Sequence, residues 1–392
     1  MKTFWKRIGV PTCVVLPLAI AVSVDVGCGS SSSGGGGAGG GGGAGTYPAC
    51  TTPVAGAFPT ANCDDSTNSC SGPTTPPASG GCTIDQATCG SVSTCMPMAN
   101  NTPTQQNFRF RRLTVLAPAA LSQLFIQKAV IDQGISLDAN GPSHLHMGVT
   151  NPQCGETGDG AFNWLLSIDR NAMTLKTGGA PVSADPFGVG YCFVNQTIGG
   201  VPIAPVTKAI TFTGNTFSTD PVPTLNVPIF VHGDPNNAVV LPLRQASFRN
   251  VTISPDGNCI GSYNYSALQS TCTDQRPDCA KWHTDGSLGG FITLAQADTV
   301  DVADLGASLC ELLTGTGAVP AGQALKRCIR DGSGNLTAKG DYCSTSNGGM
   351  GGPGDCQDAY WLSATFAAAA IKINDGTGVQ QCTGGGTGTD GG

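Results

Sequence analysis

Sixteen cysteines beyond residue 46 constrain this chain more than any other feature: six between Cys50 and Cys95, and ten between Cys154 and Cys382. A thiol set of that size either serves metal or redox chemistry in a reducing compartment or is oxidised into staples outside it. Nowhere do two cysteines stand in the C-x2-C spacing of thiolate zinc sites, so disulfides are the expectation. The first six, Cys50, Cys63, Cys70, Cys82, Cys89 and Cys95, sit among Thr, Pro, Ser and Gly with few apolar residues. A stretch like that holds its shape through bridges, each contributing ~2–4 kcal/mol. It reads as a cysteine-rich collar over residues 47–104. The other ten, Cys154, Cys192, Cys259, Cys272, Cys279, Cys310, Cys328, Cys343, Cys356 and Cys382, are again even in number and fit staples on long connections.

The start of the chain agrees with an oxidising destination. Lys2, Lys6 and Arg7 precede an uncharged, mostly apolar run from Ile8 to Val24 that is broken by Pro11 and Pro17. A basic segment followed by a short apolar one is the layout of a secretory signal. The rival, a retained membrane anchor, is marginal in length for a hydrocarbon core of ~30 Å. Ala19-Ile20-Ala21 fits ordinary signal-peptidase cleavage. Val26-Gly27-Cys28 resembles a bacterial lipobox, which implies a diacylated Cys28, although Asp25 stands where that motif has an apolar residue. Parity favours the second. Of 18 cysteines, Cys13 leaves with the leader, and a lipidated Cys28 leaves 16 to pair, whereas an unlipidated one leaves 17. The expected division is a signal peptide over 1–27, then a lipidated cysteine and tether over 28–46.

From Gly29 to Gly45 the chain holds only Gly, Ser and Ala. Such a run cannot bury enough apolar area to offset its ordering entropy, and as a random coil it spans roughly 20–25 Å. A phosphate loop is ruled out here, since no strand precedes it and no helix opening on Lys-Ser or Lys-Thr follows.

The run Cys82-Thr-Ile-Asp-Gln-Ala-Thr-Cys89-Gly-Ser-Val-Ser-Thr-Cys95, together with Gly27-Cys28-Gly29-Ser30, resembles the lead-in of cysteine-rich cell-surface lipoproteins of myxobacteria and related delta-proteobacteria. The resemblance covers the N-terminal quarter and implies a surface location without an assigned activity.

Charged residues are only 11% of the chain, and loss of Lys2, Lys6, Arg7 and Asp25 with residues 1–27 takes the net charge from −7 to −9. An acidic, lysine-poor surface argues against nucleic acid as a partner. Arg109, Arg111 and Arg112 form the local exception and read as the solvated side of a strand.

Residues 105–382 form the expected main domain, with a disordered Gly-rich tail over 383–392. Phe108 to Val115 reads as a strand, and Ala119 to Gln133 as a helix carrying Leu121, Leu124, Phe125 and Ile131 between Pro118 and Gly134. Period-two strands follow at Ser143–Met147, Phe162–Ile168, Gly188–Val194, Ala209–Thr213, Leu225–Val231, Val239–Leu243, Phe248–Ile253 and Ser287–Leu294, separated by Gly, Asn and Pro turns. Helices are expected at Val302–Leu313 and Ala321–Ile329. Tyr360–Ile373 balances helix-forming alanines against β-branched and aromatic ends, and is assigned a strand. The predicted fold class is mainly β: an antiparallel β-sandwich with a few short helices, preceded by the disulfide-rich collar.

Candidate chemistry is sparse. His144 and His146, two apart on an expected strand, face one way, and His232 with Asp234 could complete a ligand set for zinc, copper or iron; His283 and Asp285 form a second such pair. The bland alternative is a polar, solvated strand face. Gly306-Ala-Ser-Leu-Cys310 is the nearest approach to G-x-S-x-G and lacks the last glycine. Glu occurs only at Glu156 and Glu311, so no local motif selects a glycosidase pair. Asp331-Gly-Ser-Gly-Asn335 with Asp341 resembles a calcium loop but reads better as a Gly-rich turn. Trp164, Trp282 and Trp361 could supply a sugar-stacking platform, with Trp282 as the exposed one and Trp164 equally suited to a core.

The leading expectation is therefore a lipid-anchored, disulfide-stapled extracytoplasmic protein with a binding or envelope-structural role. Its expected partners are the membrane, through the anchor, and a surface protein or polysaccharide. No cofactor is expected beyond an optional metal ion. The alternatives are a metal-binding protein or metal-dependent enzyme using His144 and His146, and a carbohydrate-binding module.

Overall fold

The computed structural model describes residues 53–59, 102–123, 126–135, 161–183, 190–230, 234, 236–255, 257–263 and 282–374. Within them, eleven strands form one antiparallel sheet: β1 (Gln105–Ala117), β2 (Asn163–Asp169), β3 (Thr174–Ala180), β4 (Val206–Thr213), β5 (Thr216–Thr219), β6 (Val222–Phe230), β7 (Ala238–Arg249), β8 (Val251–Thr252), β9 (Cys259–Ile260), β10 (Ser287–Thr293) and β11 (Ala359–Ala370). Their order is β8-β5-β4-β3-β2-β1-β11-β10-β7-β6, with β9 pairing β11 off the path. The mainly β, antiparallel class expected from the alternation is what forms, with its layers belonging to one continuous curled sheet.

A single long ribbon produces the curl. Residues of β6 pair with β7 from Phe230↔Ala238 to Val222↔Ala246, and β5 pairs with β8 at Phe217↔Val251 and Thr216↔Thr252 in the same unbroken register. The ribbon bends at Asp220-Pro221 on one arm and at Asn250, whose φ of 51° is left-handed, on the other. At the bend the Thr219 hydroxyl accepts the Phe248 amide at 3.0 Å, and Ser218 accepts that of Asn250 at 3.2 Å. One half of the ribbon is one end of the sheet and the other half is the opposite end. The two ends are thereby drawn together around a core.

That core collects the inward residues of nearly every strand: Phe108, Phe110, Trp164, Leu166, Ile168, Leu175, Phe217, Leu225, Phe248, Ile260 and Phe366 among them. Phe366 stacks on Phe110 with ring centroids 4.4 Å apart and meets Phe248 edge-on at 5.6 Å. Each such ring contributes on the order of 2–3 kcal/mol by burial. On the outer edge of β6, where the Phe230 amide donates to the Ala161 carbonyl, Pro228 removes an amide donor, which blunts pairing with another chain.

β11 is the central strand, between β1 and β10. Its alanines lack the propensity for a strand, but neighbours on both sides supply the ladder, and tertiary pairing outweighs propensity. Small side chains also leave room on the side opposite the core: Ala369 faces Arg109 and Ala367 faces Arg112.

Helices are shorter than the spacing suggested. Residues 118–123 form turns, with the Leu121 and Ser122 amides donating to the Pro118 carbonyl, and the described helical backbone covers 126–135, as a wide turn over Gln127–Asp132 leading into Gln133–Ile135. The expected helix at 302–313 is interrupted by Gly306 (φ 66°), which leaves a single 3-10 turn at Ala303–Leu305 and the short α2 (Leu309–Thr314), and Leu305 is exposed. It packs with α1 (Leu294–Thr299), and both start on hydroxyl caps, Thr293 for α1 and Ser308 for α2. Residues 321–329 are turns and a short pairing of Arg327–Cys328, held by the Cys310–Cys328 bridge. Residues 190–194 make isolated contacts, Tyr191 bridging Ile373, in place of the expected strand. The expected strand at 143–147 lies outside the described residues, and the helix spacing residues Leu124 and Phe125 do too.

Of the expected collar, residues 53–59 and 102–104 are described, and the former pack against the sheet through Phe58 and Ala55.

Candidate functional site

The polar face of the central strands begins with a β-bulge. In the β1–β11 ladder Phe110 pairs with Ala368 and Arg112 with Ala367, so Arg111 and Arg112 together oppose one residue. A bulge of this kind re-aims side chains. Phe110 and Leu113 pack in the core while both arginines face the opposite side.

Those arginines are not solvated, contrary to the sequence expectation: Arg109 is 1% exposed, Arg111 9% and Arg112 7%. Arg109 donates from Nε to Asn163 Oδ1 (2.7 Å), from Nη1 to the Phe110 carbonyl (3.0 Å) and from Nη2 to the Ile135 carbonyl (2.7 Å), with the Tyr191 ring 5.6 Å away. Arg112 donates from Nε to Thr114 Oγ1 (2.9 Å) and from Nη1 to the Trp282 carbonyl (3.2 Å), while Arg111 lies 5.5 Å from the Trp282 ring centre. A guanidinium is tolerated at such depth because its planar fork can be matched by several acceptors and rings at once.

Beside them the register assembles a row of hydroxyls. Arg249 on β7 pairs with Ser287 on β10, Ser287 with Thr365 on β11, and Thr365 with Thr114 on β1. The adjacent row is Ser247, Gly289, Ser363 and Ala117. Ser287 donates to the Arg249 carbonyl at 3.0 Å. Ser363 and Thr365 are 2% and 0% exposed, and their hydroxyls have no hydrogen-bond partner among the described residues.

An aromatic roof covers one end. Phe58 meets Trp361 edge-on at 5.4 Å, Trp361 Nε1 donates to the Ala57 carbonyl at 2.8 Å, and Tyr342 lies 5.4 Å from Trp361. The half-buried Arg249 places its guanidinium 5.5 Å from the Phe58 ring centre. Gly289 is needed beneath this roof, because a Cβ there would stand 2.9 Å from Phe58 and nearer still to Trp361. Close by in sequence, burial raises the Asp285 carboxyl to about 6, so it titrates near neutrality.

The other expected sites fare as follows. Cys310–Cys328 and Cys343–Cys356 are disulfides, and Cys192 and Cys259 are disulfide-bonded as well. Cys28, Cys50, Cys63, Cys70, Cys82, Cys89, Cys95, Cys154, Cys272, Cys279 and Cys382 lie outside the described residues, as do His144, His146 and His232. Asp234 is exposed, and its Oδ1 accepts the Asn236 amide at 2.9 Å in a turn. Two clusters among the described residues have metal-like spacing, Asp298 with Cys310 and Cys328, and Cys343 and Cys356 with Asp358, but their sulfurs are spent in disulfides and are not thiolate ligands.

Asp331 is a turn residue: its Oδ1 accepts the Ser333 and Asn335 amides at 2.8 and 2.9 Å, which holds its carboxyl below the usual range. Asp341 instead accepts the Trp361 amide at 2.9 Å. Trp164, Trp282 and Trp361 are all buried, at 3%, 2% and 4% exposure, so Trp282 is not the exposed sugar platform its charged neighbours suggested. Arg249, Ser363 and Thr365 were missed at the sequence level. The available signal was the pairs of polar residues two apart, Ser363 with Thr365 and Ser247 with Arg249, inside mostly apolar strands.

No family model, curated protein or solved structure matches this chain.

Proposed function

We propose that this chain is a lipid-anchored, disulfide-stapled extracytoplasmic protein that binds a ligand or partner at the bacterial surface, with the Arg/Ser/Thr side of its central strands as the binding face. The carrying observation is the pair of buried hydroxyls, Thr365 in the row that ends in the Arg249 guanidinium and Ser363 in the row beside it. Burying a hydroxyl without a partner costs about 1–3 kcal/mol, and a sequence retains such groups where something else satisfies them. The oxidised state of Cys310, Cys328, Cys343 and Cys356 supports a destination outside a reducing compartment. Lipidation at Cys28 follows from cysteine parity and the lipobox-like Val26-Gly27-Cys28.

The test of anchoring is an intact mass of protein extracted from its own membranes, before and after reduction with thiol alkylation. A diacylated N-terminal Cys28 with 16 thiols released only on reduction is the expected result. A mass beginning at Val22 with one free thiol overturns the anchor.

A further inference from the structure

We propose that the hydroxyl row of β1, β10 and β11 is an oxyanion site, taking a carboxylate or sulfate group between Arg112 and Arg249. It deepens the binding reading above and rests on it.

The chemistry of the donors selects the ligand. A guanidinium has donors and no acceptor, and the unpaired Ser363 and Thr365 hydroxyls each have a proton to offer, so a group of acceptor oxygens suits them. The Ser287 proton is already given to the Arg249 carbonyl. Arg112 stands beside Thr114, to which it donates. Arg249 flanks Ser287 at the other end, making no salt bridge among the described residues; its guanidinium rests near the Phe58 ring. Between these two cations lie Thr365 and, one row along, Ser363, both unsatisfied and fully buried.

Ala367, beside Arg112, keeps the floor low at that end, whereas the space over Gly289 is filled by Phe58 and Trp361. The difference in exposure sets the direction of approach. Arg249 is half-buried while Ser363 and Thr365 are closed off, so approach is from the β7 side, at Arg249. Because carboxylates and sulfates both occur on acidic saccharides, either group could be the one recognised, and the probes separate them.

The experiment is calorimetric titration of the full-length, disulfide-bonded protein with sodium sulfate and with sodium glucuronate at matched ionic strength, chloride serving as the control. Saturable binding of either probe is expected, weakened roughly tenfold or more by Arg249→Gln, the effect of losing one charge-assisted hydrogen bond. Ser363→Ala with Thr365→Val should also weaken it, and thermal unfolding checks that these variants remain folded. Arg249→Lys, which keeps the charge, should retain part of the affinity.

Absence of saturable binding of both probes overturns the proposal. So does binding that none of the variants changes, and so does a high-resolution structure at saturating sulfate in which ordered water alone meets Ser363 and Thr365. These outcomes are independent of the intact-mass result, so failure of the site and failure of the anchored reading are told apart.

Discussion

The indole N–H of Trp361 donates to the carbonyl oxygen of Ala57 at 2.8 Å, joining residues 304 positions apart. The bond ties the segment 53–59 to the sheet's central strand, with Phe58 wedged beside it. Trp361→Phe removes the donor and leaves the Ala57 oxygen without this partner. The expected loss is about 1–3 kcal/mol in urea unfolding, with faster proteolytic cutting around residues 53–59.

Asp298 organises the region beside the sheet. Its 3%-exposed carboxylate accepts from Ser308 Oγ (3.1 Å), the Cys328 amide (3.0 Å) and Arg330 Nη2 (2.7 Å). Asp298→Ala orphans the Ser308 hydroxyl and the Cys328 amide, while the half-exposed Arg330 can turn to water, and a loss of about 1–3 kcal/mol is expected for each of the two orphaned donors. Asp298→Asn should cost less, since it keeps the shape and one acceptor oxygen. Chemical denaturation of the two variants side by side measures the difference.

The bridge between Cys310 and Cys328 closes a loop with a separation of 18 residues. Replacing both cysteines by serine should destabilise the protein by ~3 kcal/mol, chiefly by freeing the unfolded chain. A fall in the thermal midpoint of the double variant, absent when both proteins are compared fully reduced, is the check.

Asp285 gives the fold a pH dependence. Its folded value of about 6 lies above the ordinary 3.8 because burial disfavours the charged form. Between those values the folded state holds a proton that the unfolded state has lost, so stability falls as pH rises from about 4 to about 6 and then levels. Asp285→Asn should flatten that part of the stability–pH curve. An unchanged slope in the variant would assign the dependence to another group.

Local alternation made the strands legible. Phe108 to Val115, Phe162 to Ile168 and Ser287 to Leu294 all fall within or beside observed strands, because a period of two survives whatever a strand is paired with. Helical spacing was less reliable. Leu305, Leu309 and Leu312 have the right separations, but Gly306 in a left-handed conformation ends the first turn before the second begins. The arginines show the deeper limit: sequence places Arg111 and Arg112 on a strand, but depth depends on what lies over them. Likewise the row from Arg249 to Thr114 joins four strands far apart in the chain. Its members could be seen in the sequence, but their adjacency is created by the register.

The pairing of β1 with β11 has a further consequence, in time rather than in space. The first strand of the sheet finds its central neighbour in the last, so one edge of β1 stays open until residues 359–370 have been made. Contacts this distant in sequence close slowly. The arginines of β1 and the hydroxyls of β11 therefore meet late, and any binding face made from both exists only in the finished molecule. A chain halted before residue 359 would carry the cations without their row.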